Sequence, residues 1–169
     1  MLTELQKLTA QAVVNVFETG TALGDYGKVT LLKGDPGHLT YGRSQTTLAS
    51  GNLFLLLKAY CEEEGAEMAG ALRPFLERTA ARDLSLDNDG AFRVLLRQAG
   101  LDPVMQEVQD GFFDRVYWLP AVGHATAAGL TTGLGTTVVY DSVVHGGWSR
   151  IRARTEERFG TVAALGERG

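Results

Sequence analysis

The chain has 169 residues, of which 44% are hydrophobic and 21% charged, and its formal net charge is -4 at pH 7. This is about one domain of globular sequence and excludes a low-complexity or disordered scaffold. The mild negative balance argues against nucleic acid, whose phosphates are bound by neutralising cations, and leaves a neutral or cationic polymer open as ligand.

Taken in chain order, Leu2, Leu5, Leu8, Ala12, Val13, Val16 and Phe17 recur at three- and four-residue steps. They predict a helix that packs this face inward and stops near Gly20. Glu18 then stands at the helix C-terminus, where the dipole disfavours a negative charge, and Val16 and Phe17 predict an apolar setting for it. Segments 29–32 and 39–44 are β-branched, apolar and aromatic. They flank Lys33-Gly34-Asp35-Pro36-Gly37-His38, dense in turn formers, which predicts a small β-hairpin with Asp35 in its turn. Helices are predicted over 52–64, over 69–81 with Pro74 disturbing the first half, and over 89–98, stopped by Gly100. Asp102 as N-cap and Pro103 at the first position open another, expected to run to Trp118 before Pro120. Segment 136–145 is apolar almost all round and reads as a central buried helix or strand, and 148–159 as a charged, exposed helix. The order predicts an α+β, mainly helical fold: one domain over 1–169, with a small β-lobe at about 25–48 and a cleft between lobes.

No run of eighteen apolar residues exists, so no membrane span is expected, and the N-terminal stretch lacks the basic region and cleavage site of a secretory signal. The single cysteine, Cys61, excludes an intrachain disulfide and reads as a buried thiol.

Glu18 and Asp35 form the pair with chemical potential. Inverting glycoside hydrolysis needs a protonated acid for the leaving oxygen and an ionised base to activate water, roughly 6.5–9.5 Å apart. A helix-end acid and a turn acid suit those two roles, because their environments differ. Position alone does not choose them: the chain has 20 acidic residues, and Asp in a Gly-Asp-Pro-Gly turn serves the turn itself.

Four blocks in order supply the choice. They are Val16-Phe17-Glu18-Thr19-Gly20; Tyr26-Gly27 followed by Gly34-Asp35 with Thr40 five residues beyond; Asp114-Arg115-Val116-Tyr117-Trp118-Leu119-Pro120-Ala121; and Tyr140-Asp141-Ser142-Val143-Val144-His145-Gly146. Together they resemble glycoside hydrolase family 46, the chitosanases. The resemblance implies a lysozyme-like, two-lobed fold with a substrate cleft. It further implies inverting endo-cleavage of a β-1,4-linked hexosamine polymer, with Glu18 as acid, Asp35 as base and Thr40 helping to hold the attacking water. No metal or cofactor is expected. The expected partner is a polysaccharide, chitosan or a peptidoglycan glycan strand, and so an extracellular or cell-wall polymer.

The chain departs from the family pattern at Asn52, where the family has an Asp that binds a glucosamine amino group. An amide cannot supply the charge that favours an ammonium. Phe112 and Phe113 likewise stand where the family has an acidic residue and an arginine. Asn52, Tyr26, Tyr41 and Arg43 are the candidate substrate-binding residues, the tyrosines by stacking on sugar rings or, alternatively, packing under the hairpin, and Arg43 by contact with substrate or pairing with a carboxylate. Asp141 and His145, four apart, read as a local hydrogen bond rather than a metal pair, and 85–90 as an N-cap turn rather than a calcium loop. Two rivals stand beside the chitosanase reading: a muramidase-like peptidoglycan hydrolase, towards which Asn52 leans, and an inactive glycan-binding module, against which the presence of Glu18, Asp35 and Thr40 argues.

Overall fold

The computed structural model describes residues 2–43 and 45–167. About 64% of the described residues are helical, and the remainder includes a small antiparallel sheet. The chain divides into two compact units: Asn15–Phe112, and a second made of the residues up to Val14 with those from Phe113 onward. The lobe expected over 25–48 is thus part of a larger unit.

Helix α1, Glu4–Thr19, contributes to both units. Its start is fixed by a capping box: Gln6 N donates to Thr3 Oγ1 at 3.2 Å, and Thr3 N to Gln6 Oε1 at 2.8 Å. The expected inward face is corrected here. The buried side chains are Ala10, Gln11, Val14 and Asn15, whereas Leu5, Leu8, Val13, Val16 and Phe17 are exposed. Burial follows what packs against the helix, and an exposed leucine costs little by itself.

In the unit Asn15–Phe112, β1 (Val29–Thr30), β2 (Thr40–Tyr41) and β3 (Thr46–Thr47) form an antiparallel sheet in that order. Val29 faces Tyr41, and Thr40 lies between Thr30 and Thr47. The strands are shorter than the sequence suggests, β3 is an addition, and the expected strand end at Ser44 lies outside the described residues. Gly42 turns β2 into β3 at φ +79°, and a Cβ there would stand 2.4 Å from Gln109 Oε1, so the turn admits only glycine. Helix α2, Asn52–Glu62, buries Leu53, Leu56, Leu57, Tyr60 and Cys61. The helix expected over 69–81 is instead α3 (Ala69–Leu72), a 3-10 turn (Arg73–Phe75) and α4 (Leu76–Ala80), broken around Pro74, which has no N–H to give. A second 3-10 turn, Leu84–Asn88, precedes α5, Gly90–Ala99. Asp83 and Asp89 cap these by accepting from Ser85 N and Phe92 N. Asp102 opens α6, Pro103–Phe113, accepting from Val104 N at 2.9 Å, and also takes Tyr60 Oη–H at 2.5 Å and Glu67 N–H at 2.9 Å.

In the other unit the chain does not stop before Pro120. A π-helical turn, Asp114–Trp118, runs into α7, Leu119–Ala127, with Pro120 in its first turn, where no N–H is needed. Asp114 accepts from Gln11 Nε2 at 2.8 Å and pairs with Lys7, fixing this turn to α1. Helix α8, Gly133–Val144, buries Thr136, Val139, Tyr140 and Ser142 but leaves Leu134 and Val138 exposed. It is therefore a one-sided helix rather than the expected all-round core element. Helix α9, Trp148–Phe159, is the charged surface helix expected, and α10, Val162–Leu165, follows. The core here joins Ala10, Val14, Phe113, Trp118, Ala121, Ala125, Val139 and Tyr140, with Trp118 edge-on to Tyr140 at 5.2 Å between ring centroids. Among the described residues no helix is long and apolar enough to cross a membrane.

Candidate active site

Glu18, Asp35 and Thr40 all lie in the unit Asn15–Phe112. Glu18 is the penultimate residue of α1 and half-buried. Its expected apolar setting is not supplied by its neighbours: Phe17 is 80% exposed and Val16 48%. The chain beyond the helix is held by Asn15, whose buried amide Nδ2 donates to Ala22 O at 3.0 Å.

Asp35 sits in the β1–β2 connection, half-buried. Its Oδ1 accepts from Gly37 N at 2.9 Å, and its carbonyl accepts from His38 N at 3.2 Å, so the residue builds the turn that carries it. Thr40 begins β2. Its buried hydroxyl lies 3.0 Å from Gln45 Oε1 and 3.3 Å from Thr30 O.

The four candidate binding residues part company. Tyr41 is fully buried, so its ring has no face open to a sugar, and burial pushes its hydroxyl pKa strongly up. Of the two alternatives for Tyr41, packing in the core is the one its burial supports, not stacking on a sugar. Tyr26 is half-buried, and its hydroxyl donates to Asp110 at 2.9 Å. Burial first, and the Asp110 charge second, raise its pKa. Arg43 takes the carboxylate partner of its two alternatives, pairing with Asp110. Burial, the largest single influence, pulls the Arg43 pKa down, but the Asp110 carboxylate and the Tyr26 hydroxyl together outweigh it and the net shift is upward. The Arg43 guanidinium also stands 5.8 Å from the Tyr26 ring centroid. Gln109 ties the group together, accepting from Arg43 N at 3.0 Å and donating to Tyr26 O at 2.9 Å. Asn52 opens α2, half-buried.

Spacing did not nominate Asp87, Gln109 or Asp110, because each meets its partner through the fold, nor Gln45, which meets Thr40 locally across the β2–β3 turn. Among the described residues no group of three His, Cys, Asp or Glu side chains could hold a metal. His145 Nδ1 lies 2.8 Å from the Asp141 carbonyl and 3.6 Å from its carboxylate, a within-helix contact.

The family model for glycosyl hydrolase family 46 matches residues 12–168. The chain belongs to glycosyl hydrolase family 46. A Bacillus subtilis (strain 168) chitosanase is 29% identical over 143 residues, 84% of this chain and 51% of that protein. The chain thus spans about half the length of the curated relative it matches. The family 46 chitosanase of Gynuella sunshinyii, solved in complex with chitotetraose, superposes with a TM-score of 0.83 at 26% identity, over 98% of this chain and 72% of that one. The native chitosanase of Bacillus subtilis MY002 gives 0.84 at 27%, with the same coverage. The fold is therefore the lysozyme-like fold of family 46.

Proposed function

We propose that this family 46 chain is a chitosanase-like glycoside hydrolase that cleaves a β-1,4-linked hexosamine polymer with inversion. The observation that carries the reading is the superposition over 98% of the chain on a chitosanase bound to chitotetraose. Glu18 is the acid and gives its proton to the leaving glycosidic oxygen. Asp35, held in its turn through Gly37 N, is the base that takes a proton from water. Thr40 orients that water. Tyr26, half-buried and hydrogen-bonded to Asp110, contributes to the substrate-binding surface, and the buried Arg43 supports it from behind by pairing with Asp110.

The test is to incubate the pure protein with chitosan of graded acetylation and, separately, with purified peptidoglycan, and to identify the released ends. Chitosan fragments are expected, and Glu18→Gln and Asp35→Asn should each lose about a hundredfold or more of turnover while remaining folded. Either variant within a few-fold of the parent overturns its assignment. Release from peptidoglycan alone would install the muramidase reading, which the uncharged Asn52 favours. Binding without release would make the chain a glycan-binding module.

A further inference from the structure

One buried carboxylate outside the acid–base pair grips the segment between Asp35 and Thr40. Asp87 lies in the 3-10 turn Leu84–Asn88, with 10% of its side chain exposed. Its Oδ1 accepts from Leu39 N at 2.9 Å, and its Oδ2 lies 2.8 Å from His38 Nδ1. Both oxygens thus take neighbouring groups of one short stretch, and that stretch runs from the turn of Asp35 into the strand of Thr40. His38 reaches this contact from φ +59°, a left-handed backbone that side-chain-bearing residues rarely adopt. A conformation of that cost persists where its surroundings over-determine it, and here they do. His38 N donates to Asp35 O at 3.2 Å, Leu48 N to Leu39 O at 2.8 Å, and Ala49 N to Gly37 O at 3.2 Å. The sheet side of the stretch is held by backbone; the opposite contact, to the helical part of the unit, runs through Asp87.

We propose that Asp87, through His38 and the Leu39 amide, is the positioning residue that fixes Asp35 relative to Thr40 for water activation. The inference rests on the assignment of Asp35 as base. Inverting attack requires the base oxygen, the water and the anomeric carbon in line, and a displacement near 1 Å can cost about a hundredfold in rate. Asp87 touches neither water nor sugar; it acts through the loop. Its two acceptors set both ends of a rigid link: the imidazole orients the turn, and the amide pins the first residue of the descent into β2. With the link cut, substrate still binds, but the base no longer meets the water.

The experiment uses the full chain and a soluble chitosan oligosaccharide, with kcat and KM measured for the parent, Asp87→Ala, Asp87→Asn, His38→Ala and Asp35→Asn. Asp87→Ala should lower kcat by about thirtyfold with KM within about threefold. Asp87→Asn should stay within about threefold in kcat, because its amide oxygen still accepts the Leu39 N–H. Azide gives a readout that loss of folded protein would not move. Its nitrogen bonds to the anomeric carbon as the glycosidic C–O bond breaks and Glu18 protonates the leaving oxygen, so no base is required. Azide should therefore restore turnover to Asp87→Ala at least several-fold, with the glycosyl azide as product, and leave the parent unaffected. Should Asp87→Ala not fold, His38→Ala carries the test, with kcat down about fivefold, KM within about threefold and the same azide response. Asp35→Asn inactive with Asp87→Ala and His38→Ala within twofold of the parent overturns the positioning role alone. So does a kcat loss that tracks the folded fraction and ignores azide. Asp35→Asn with near-parent turnover removes the base assignment, and the positioning role falls with it.

Discussion

Thr40 Oγ1 stands 3.0 Å from Gln45 Oε1, and the Gln45 amide nitrogen donates to the Gly42 carbonyl at 2.9 Å. The second contact orients the amide, so its oxygen faces Thr40, and at 3.0 Å it takes the hydroxyl proton in preference to the Thr30 carbonyl at 3.3 Å. A hydroxyl whose proton is spent this way offers its lone pairs to a water proton. Gln45→Ala should turn the hydroxyl proton to Thr30 O, redirect the lone pairs and lower kcat by about three- to tenfold, the worth of one hydrogen bond of about 1 kcal/mol, with little change in KM. Steady-state kinetics on chitosan oligosaccharides reads it; an unchanged kcat removes Gln45 from the site.

The stereochemistry of the product follows from the base and water assignment. Water activated by Asp35 attacks opposite the leaving group, so a β-linked substrate must yield the α anomer first. Proton NMR of a fresh digest, followed before mutarotation, shows which anomer forms. A β product would mean retention, and Asp35 would not be the base.

The sequence carried the limits of α1 better than its orientation. Threes and fours among apolar residues and Gly20 mark where the helix lies. The same residues do not say which side is covered, because Ala10 and Val14 are buried while Leu5, Leu8 and Val16 face solvent. Pro120 shows the same limit: a proline stops a helix or starts one, and only the turn before it decides. In the candidate site, the turn that carries Asp35 was legible because Gly34, Pro36 and Gly37 announce it, and Thr40 was nominated by its step from Asp35 in a family block. Asp87, Gln109 and Asp110 were not, since their partners lie 48 to 84 residues away in sequence and no local pattern links them.

The C-terminal region supplies a pH-dependent contact. Glu167 accepts from the hydroxyls and backbone N–H groups of Thr132 and Thr131. These bonds, the Thr132 hydroxyl foremost, hold its pKa at about 2, below the ordinary 4.5. A depressed carboxylate pKa contributes stability that is fully present above the unfolded value and fades as pH falls through the folded one. The gap in Tm between the parent and Glu167→Gln should therefore be widest near neutrality and close between about pH 4.5 and 2. A gap that is constant across this window would mean the carboxylate charge contributes nothing to the contact.

Specificity is where Asn52 departs from the family pattern, and the residue stands half-buried at the start of α2. If a hexosamine amino group meets Asn52, it meets an amide rather than a carboxylate. The charge-assisted contact so lost is worth roughly 1.5–3 kcal/mol where desolvated, a factor of about ten to a hundred in discrimination. The parent should then accept partly acetylated chitosan nearly as well as the fully deacetylated polymer. Asn52→Asp should raise kcat/KM for the free-amine substrate and leave the acetylated one unchanged or weaker. Glu62 is the nearest carboxylate along α2, but it is exposed at the far end of the helix and lies 3.8 Å from Lys58, which offsets its charge. The comparison is kcat/KM for both substrates in parent and variant. A parent that already demands free amines, with no response to the substitution, would place the amino-group subsite away from Asn52.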